Sequence, residues 1–413
     1  MVAETAVPEA EYRNPLSAEF MRRSAAERVE ILASLRATRG PVRFRQPSSM
    51  GGPPVEFYLV TRYAEVEEAS RRTDVFSSEP NATTLEDLPP DKRRGAPSMI
   101  NMDDPRHARI RRIVARAFTV RTIAAFDHRL QEVARGIVDD LEERGPCDFV
   151  ADVARPMPLK IICTMMGIPE EAHDEVIEHS ETFLAATDPL ARPPRDAVAQ
   201  SVRFFDGLFR DLSRERRSRP TGDLTTLLVH DDADGDALDE RELAVFFRSL
   251  VVAGTGTTRN SLSHALIQLT DHEDQRELLL ADVPGRMPGT VEEVLRHVSP
   301  VTYMRRNLTR DYVLGDVEYA KGDMIVMHYG AANRDETVFE RPDDFDITRD
   351  PNPHLAFGGP GPHLCLGANL ARREMTVLLG ELFTRLPGLR ATGAPVLHET
   401  GLVYGVDRLP CAF

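Results

Sequence analysis

The sequence predicts a mainly α-helical fold with a minor β-sheet, and three observations carry that expectation. Apolar residues recur at three- and four-residue spacing through long stretches, the pattern of helices with one buried stripe. Strand-like runs are few and short. Periodic segments are separated by brief Pro- and Gly-containing loops, with no internal repeat and no low-complexity linker, so we expect one domain over residues 1–413.

In chain order, PSSMGGPP (47–54) reads as a loop and FYLVT (57–61) as the first strand. A second loop runs over 79–97. Phe126, Leu130, Val133, Ile137 and Leu141 then mark a helix from Ile123 to Glu143. After a third loop at 188–196, Asp239 followed by Glu242 reads as a capping box. The helix it opens, through LAVFFRSLVVAG, is apolar on almost every side and belongs in the core. Tyr312 to Tyr329 supplies two or three further strands around Gly315 and Gly322.

Composition narrows the function. Of 413 residues, 41% are hydrophobic and 28% charged, as in an ordinary globular protein, and the net charge of −15 argues against a nucleic-acid partner. Cys147, Cys163, Cys365 and Cys411 lie far apart in sequence without a CxxC pair and read as reduced thiols. The N-terminus lacks a signal-peptide pattern, and the longest apolar stretch is short and interrupted by Arg248. We therefore expect a cytoplasmic protein without membrane insertion.

The most informative segment is HLAFGGPGPHLCLGANLARREM (354–375). Glycines and prolines from Gly358 to Pro362 predict a tight turn, and Leu366, Leu370, Leu378 and Leu382 predict a helix after it. Cys365 then sits at or just before a helix N-terminus, where free N–H groups and the helix dipole favour an anion and lower a thiol pKa. Gly367 leaves room for backbone to approach the sulfur. These are properties of a thiolate metal ligand. A phosphate-binding loop fails for lack of a GxGxxG or GxxxxGK[ST] register. A zinc site with His363 lacks a second ligand pair. An inert buried thiol stays open on the cysteine alone.

Gly361-x-His363-x-Cys365-x-Gly367, followed by Ala368, resembles the haem-ligand signature of the cytochrome P450 superfamily. The resemblance implies the triangular, helical haem domain of that family, with haem b (iron protoporphyrin IX) as cofactor and Cys365 as axial thiolate to iron, favouring O–O cleavage. The usual phenylalanine is displaced by one position, to Phe357. Glu293 and Arg296 resemble the family's ExxR pair, with Arg349 as the third member of a structural charge network. His107 and Arg111 resemble its HxxxR pair, which with Arg306 and His363 would meet the haem propionates; neighbouring Arg305 competes with Arg306 for that place.

Ala253, Gly254, Thr255, Gly256, Thr257 and Thr258 resemble the family's oxygen-activation stretch. Ala253 and Gly254 would leave room for O₂, and the Thr257 hydroxyl would steer protons. Mid-helix threonine also tends to bond back to the carbonyl four residues earlier. Gly256 departs from the pattern, because the family has Asp or Glu there as the link to a solvent proton relay.

The phrases DVFSS, TTRNS and NPHLAFGGPGPHLCLGANLAR look most like actinobacterial enzymes that oxidise sterol side chains and branched lipids. By the same analogy, Val252, Val301, Thr302, Tyr303, Met304 and Val403 line the substrate pocket, with contributions from residues 80–100 and 183–196. The chain ends where the haem domain of the family ends. Electrons from NAD(P)H would therefore come through a separate ferredoxin and ferredoxin reductase, docking on Arg106, Arg109, Arg112, Arg116, Arg372 and Arg373. The implied reaction is insertion of one atom of O₂ into a C–H or C=C bond of a hydrophobic small molecule. A polyketide, terpenoid or peptide-derived intermediate is slightly preferred to a sterol-like lipid. Two alternatives remain open: an enzyme of oxidative coupling, desaturation or nitric-oxide reduction, and a haem-binding sensor without turnover.

Overall fold

The computed structural model describes residues 13–48, 52–87, 98–186, 193–230, 238–398 and 401–413. The expected loops at 47–54, 79–97 and 188–196 fall partly outside these, at 49–51, 88–97 and 188–192. Helices dominate. Those that position the site are α1 (Tyr63–Arg71), α2 (Arg106–Ala115), α3 (Asp127–Arg144), α4 (Pro156–Met166) and α5 (His173–Ala186). They are joined by α6 (Arg195–Ser218), α7 (Glu240–Asp271), α8 (Val283–Val298) and α9 (Ala368–Arg385).

α7 is the central element, in contact with α4, α5, α6, α8 and α9. Its N-terminus is the expected capping box: Asp239 Oδ1 accepts from the Arg241 and Glu242 amides at 2.8 Å, and Glu242 Oε2 accepts from the Asp239 amide at 3.0 Å. Leu243, Phe246, Phe247, Val251, Leu262, Leu266 and Leu269 bury its flanks in the largest apolar cluster. The expected helix from Ile123 to Glu143 is instead two helices. Phe126 adopts φ −89°, ψ 0°, closing a short helix Val120–Ala125 before α3 begins.

The β-structure is small. Strands β1 (Arg43–Gln46), β2 (Val55–Val60), β3 (Phe76–Ser77), β4 (Cys147–Asp148) and β5 (Tyr303–Leu308) come first. β6 (Tyr312–Leu314), β7 (Val317–Tyr319) and β8 (Met324–His328) are the three expected between Tyr312 and Tyr329. β9 (Arg390–Ala391), β10 (Val396–His398), β11 (Gly405–Arg408) and β12 (Pro410–Ala412) close the chain. The principal sheet has the order β1-β2-β8-β5-β3, in which only β2 and β8 run parallel. Two further apolar clusters cover this sheet. β12 pairs with both β4 and β9, setting Cys411 opposite Cys147 with the sulfurs 3.6 Å apart as free thiols. Cysteines far apart in sequence are thus neighbours in space. No described helix is long and apolar enough to cross a membrane.

Candidate functional site

The loop before α9 sets Cys365 just ahead of the helix. Gly358 has φ +87°, a conformation that favours glycine, and its amide donates to the Leu355 carbonyl at 2.9 Å. Gly361 passes so close to α1 that a Cβ there would collide with the Ser70 carbonyl. The Cys365 amide then donates to the Phe357 carbonyl at 2.9 Å, and Gly367 caps α9, two residues past the cysteine. Displaced Phe357 has a role of its own, since the Arg372 guanidinium stacks 4.4 Å over its ring.

Cys365 keeps its surface uncovered, yet burial pushes its thiol pKa up. The expected lowering is therefore corrected: desolvation outweighs the Gly367 N–H and the positive Arg111 and Arg372, all of which pull the other way. A thiolate here requires a cation at the sulfur. Among the described residues there is no cluster of three or more His, Cys, Asp or Glu able to hold a metal ion, so the zinc alternative lacks its ligands.

His107, Arg111, Arg306 and His363 converge. The His107 and His363 rings lie 4.1 Å apart between centroids. His363 is pushed down to about 2, by burial first and then by the charges of Arg306, His107 and Arg111. Burial likewise lowers His107, Arg111 and Arg306, and Arg111 feels Cys365 as its electrostatic partner. Counter-charge is scarce. Among the described residues neither ring nitrogen of His107 has a hydrogen bond, with Asp104 Oδ1 3.5 Å from Nδ1, and Arg306 Nε has none. Asp103 bonds instead to Ser77 and to the Ser78 amide. Arginine charges set beside imidazoles whose protonation burial disfavours, with unbonded nitrogens on His107 and Arg306, are costly unless an anion joins them. A planar group carrying two carboxylates and a metal for Cys365 satisfies both halves of the site, which fits iron protoporphyrin IX.

The structure also separates Arg305 from Arg306. Neighbours on a strand face opposite ways. Arg305 is fully buried against the Asn81, Thr84 and Leu85 carbonyls and Asp87, whereas Arg306 donates only to the Arg305 carbonyl, at 2.8 Å, and faces the histidines.

Glu293 and Arg296, both fully buried, form a two-point ion pair at 2.7 and 2.8 Å. Arg349 approaches Glu293 at 3.3 Å, and Asn352 donates to it at 3.0 Å. Arg296 also donates to the Asn333, Pro342 and Asp344 carbonyls, so the network ties α8 to the segment leading into the cysteine loop.

On α7, the Thr257 hydroxyl donates to the Ala253 carbonyl at 2.9 Å, the expected back-bond. Ala253 is exposed, Gly254 rests against Ile162, and Gly256 is buried beneath Leu184. Of the pocket candidates, half-buried Val252 lies on α7. Val301 bridges to Val403, and the Thr302 amide donates to the Leu402 carbonyl at 2.9 Å. Met304 is half-buried on β5, but Tyr303 is a core residue whose hydroxyl donates to the Thr83 carbonyl at 3.2 Å.

The basic docking face is weaker than its sequence. Arg109 pairs with Glu242 at 3.0 Å, Arg372 with Glu292 at 2.7 Å, and Arg373 with Asp127 at 2.6 Å. Sequence reasoning missed Ser78, whose hydroxyl lies 3.1 Å from His363 Nε2. It also missed Glu292, pushed down to about 2 against its burial by His354 and Arg372. Ser78 stands in the quoted DVFSS phrase and Glu292 beside Glu293, but nothing local signals either contact.

Comparison with known proteins follows the same lines. The family described as Cytochrome P450 matches residues 48–283 and 287–387. A methyl-branched lipid omega-hydroxylase of Mycobacterium tuberculosis is 41% identical over 356 residues, covering 86% of this chain and 83% of its own. A steroid C26-monooxygenase of Mycolicibacterium smegmatis is 36% identical over 92% of this chain and 88% of its own. A Mycobacterium marinum cytochrome P450, solved in complex with pseudoionone, superposes with a TM-score of 0.90 at 34% identity, over 99% of this chain and 100% of that one.

Proposed function

Since the chain belongs to the cytochrome P450 family, we propose that it is a haem-thiolate monooxygenase that hydroxylates an apolar lipid, a branched chain or a sterol side chain. The observation that carries the haem assignment is the gathering of Arg111 and Arg306 with His107 and His363 beside Cys365, with donors on His107 and Arg306 left unbonded among the described residues. Haem b would supply an iron at which O₂ is activated, with thiolate ligation favouring O–O cleavage. Cys365 would hold the iron, the Gly367 N–H would stabilise its sulfur, and His107, Arg111, Arg306 and His363 would hold the two propionates. Thr257 would present its hydroxyl for proton delivery, while Ala253 and Gly254 keep the helix surface low beside it. Val252, Val301, Thr302, Met304 and Val403 would form the apolar wall that excludes water and orients the substrate. Electrons would arrive from NAD(P)H through a ferredoxin and its reductase.

The lipid assignment follows the functions named for the 41% and 36% identical relatives. A natural-product intermediate is the second reading, favoured by Gly256 in place of the acid. A titration followed at the ferric Soret band distinguishes them. Branched lipids and sterols should shift the iron from low to high spin, and a shift given only by macrocyclic or aromatic natural products would overturn the lipid reading.

A further inference from the structure

Gly256 leaves open where protons enter, and the helix packed against it offers an answer. We propose that Glu181, on α5, relays protons from solvent through a water held beside Gly256 toward Thr257, in the role that an acid at position 256 would otherwise fill. The inference rests on the reading of Thr257 as the proton-bearing hydroxyl.

A cavity lies between α5 and α7, lined by the apolar Leu159, Ile177 and Leu184 and by Ser180, Glu181 and Gly256 among others. It offers about 20 Å³ to the centre of a water molecule, more than the roughly 10–15 Å³ one water requires. Ser180 is 1% exposed and its hydroxyl has no hydrogen-bond partner. A buried hydroxyl left so loses the bonds it had in water, and a water in the cavity restores them. Glu181 stands at the mouth with 45% of its side chain exposed. Its Oε1 pairs with Arg259 at 2.9 Å and Arg155 at 3.4 Å, leaving Oε2 unbonded among the described residues. Two cations on separate elements thus fix a half-exposed carboxylate that also lines the cavity.

Gly256 completes the arrangement. It is buried against the cavity, and a side chain there would strike Leu184 and fill the space the water needs. The next residue is Thr257, whose hydroxyl lies on the Ala253 carbonyl. In one cycle Glu181 takes a proton from bulk water and passes it to the cavity water, which releases one of its own toward Thr257. Both return to their starting states, and one proton has moved inward.

Glu181→Gln keeps the shape and an oxygen for the arginines but cannot carry the proton. In the reconstituted holoenzyme it should lower the fraction of NAD(P)H yielding product several-fold and raise the solvent isotope effect on product formation. Glu181→Asp should recover most of the loss. A high-resolution crystal structure of the wild type should contain a water within hydrogen-bond distance of Ser180 Oγ. Thr257→Ala is the reference. If it uncouples the enzyme while Glu181→Gln matches wild type, the relay is wrong and the Thr257 reading stands. If both match wild type, the Thr257 reading falls and takes the relay with it. A dry cavity, or a loss in Glu181→Gln with an unchanged isotope effect and no recovery in Glu181→Asp, reduces Glu181 to a structural ion-pair partner.

Discussion

Cys365 and the four basic residues near it are individually unfavourable: a thiol raised by burial, two histidines and two arginines depressed by it, and unbonded donors on His107 and Arg306. Each becomes favourable beside a metal or a carboxylate, so their costs point to one shared ligand. Cys365→Ala should abolish the red-shifted Soret band of the reduced carbon monoxide complex, measured by difference absorbance; an unchanged band would mean another axial ligand. Cys365, His363, His107 and Arg111 were nameable because each stands in a short motif whose spacing is set by local geometry. The choice between Arg305 and Arg306 was not. It depends on which face of β5 meets the histidines, and both arginines are buried, so polarity does not tell the faces apart. Ser78 was hidden for a related reason, since its partner His363 is 285 residues away.

Among elements, the cysteine loop is held by what it lacks. Gly361 lies against the backbone of α1 at Ser70 and Arg71, which cannot swing aside as a flexible side chain could. Gly361→Ala should therefore displace the loop, at about 1–3 kcal/mol typical of overpacking, and lower the haem retained per protein after gel filtration. Retention equal to wild type would mean that α1 yields. The glycine cluster announced this turn in the sequence, whereas Ser70, the neighbour that makes glycine necessary, has no local signature. The same contrast holds for larger elements. Long periodic helices and the Asp239 cap were readable, but the break at Phe126 was not, because apolar spacing continues across it. Strand β5, paired on both sides in its sheet, was missed because YMRRNL carries two arginines that tertiary contacts bury.

Across the whole molecule, buried titratable groups set opposing pH limits. Glu374 on α9 is 2% exposed, and burial pushes its carboxyl up to about 8, with Thr258 partly opposing. Unfolded, it would ionise near 4.5, so the folded state holds the extra proton and loses stability as pH rises from about 4.5 to 8. His264 and His328, pushed down to about 4 by burial, act in the other direction, removing stability as pH falls from 6.5 through 4. Glu374→Gln should flatten the alkaline side: its melting temperature relative to wild type should be several degrees higher at pH 8 than at pH 5. An equal difference at both would show that Glu374 titrates normally.

The gathering of His107, Arg111, Arg306 and His363 beside Cys365 also bears on how the protein is prepared. Their repulsion is relieved by an acidic partner, and a partner that binds only the folded chain at a hundred times its dissociation constant adds about 2.7 kcal/mol to stability. Two batches of identical sequence, grown with different supplies of iron or porphyrin precursor, will therefore melt at different temperatures. A variant's thermal ranking becomes interpretable once pigment content per polypeptide has been matched, and host nutrition becomes an experimental variable alongside the mutation.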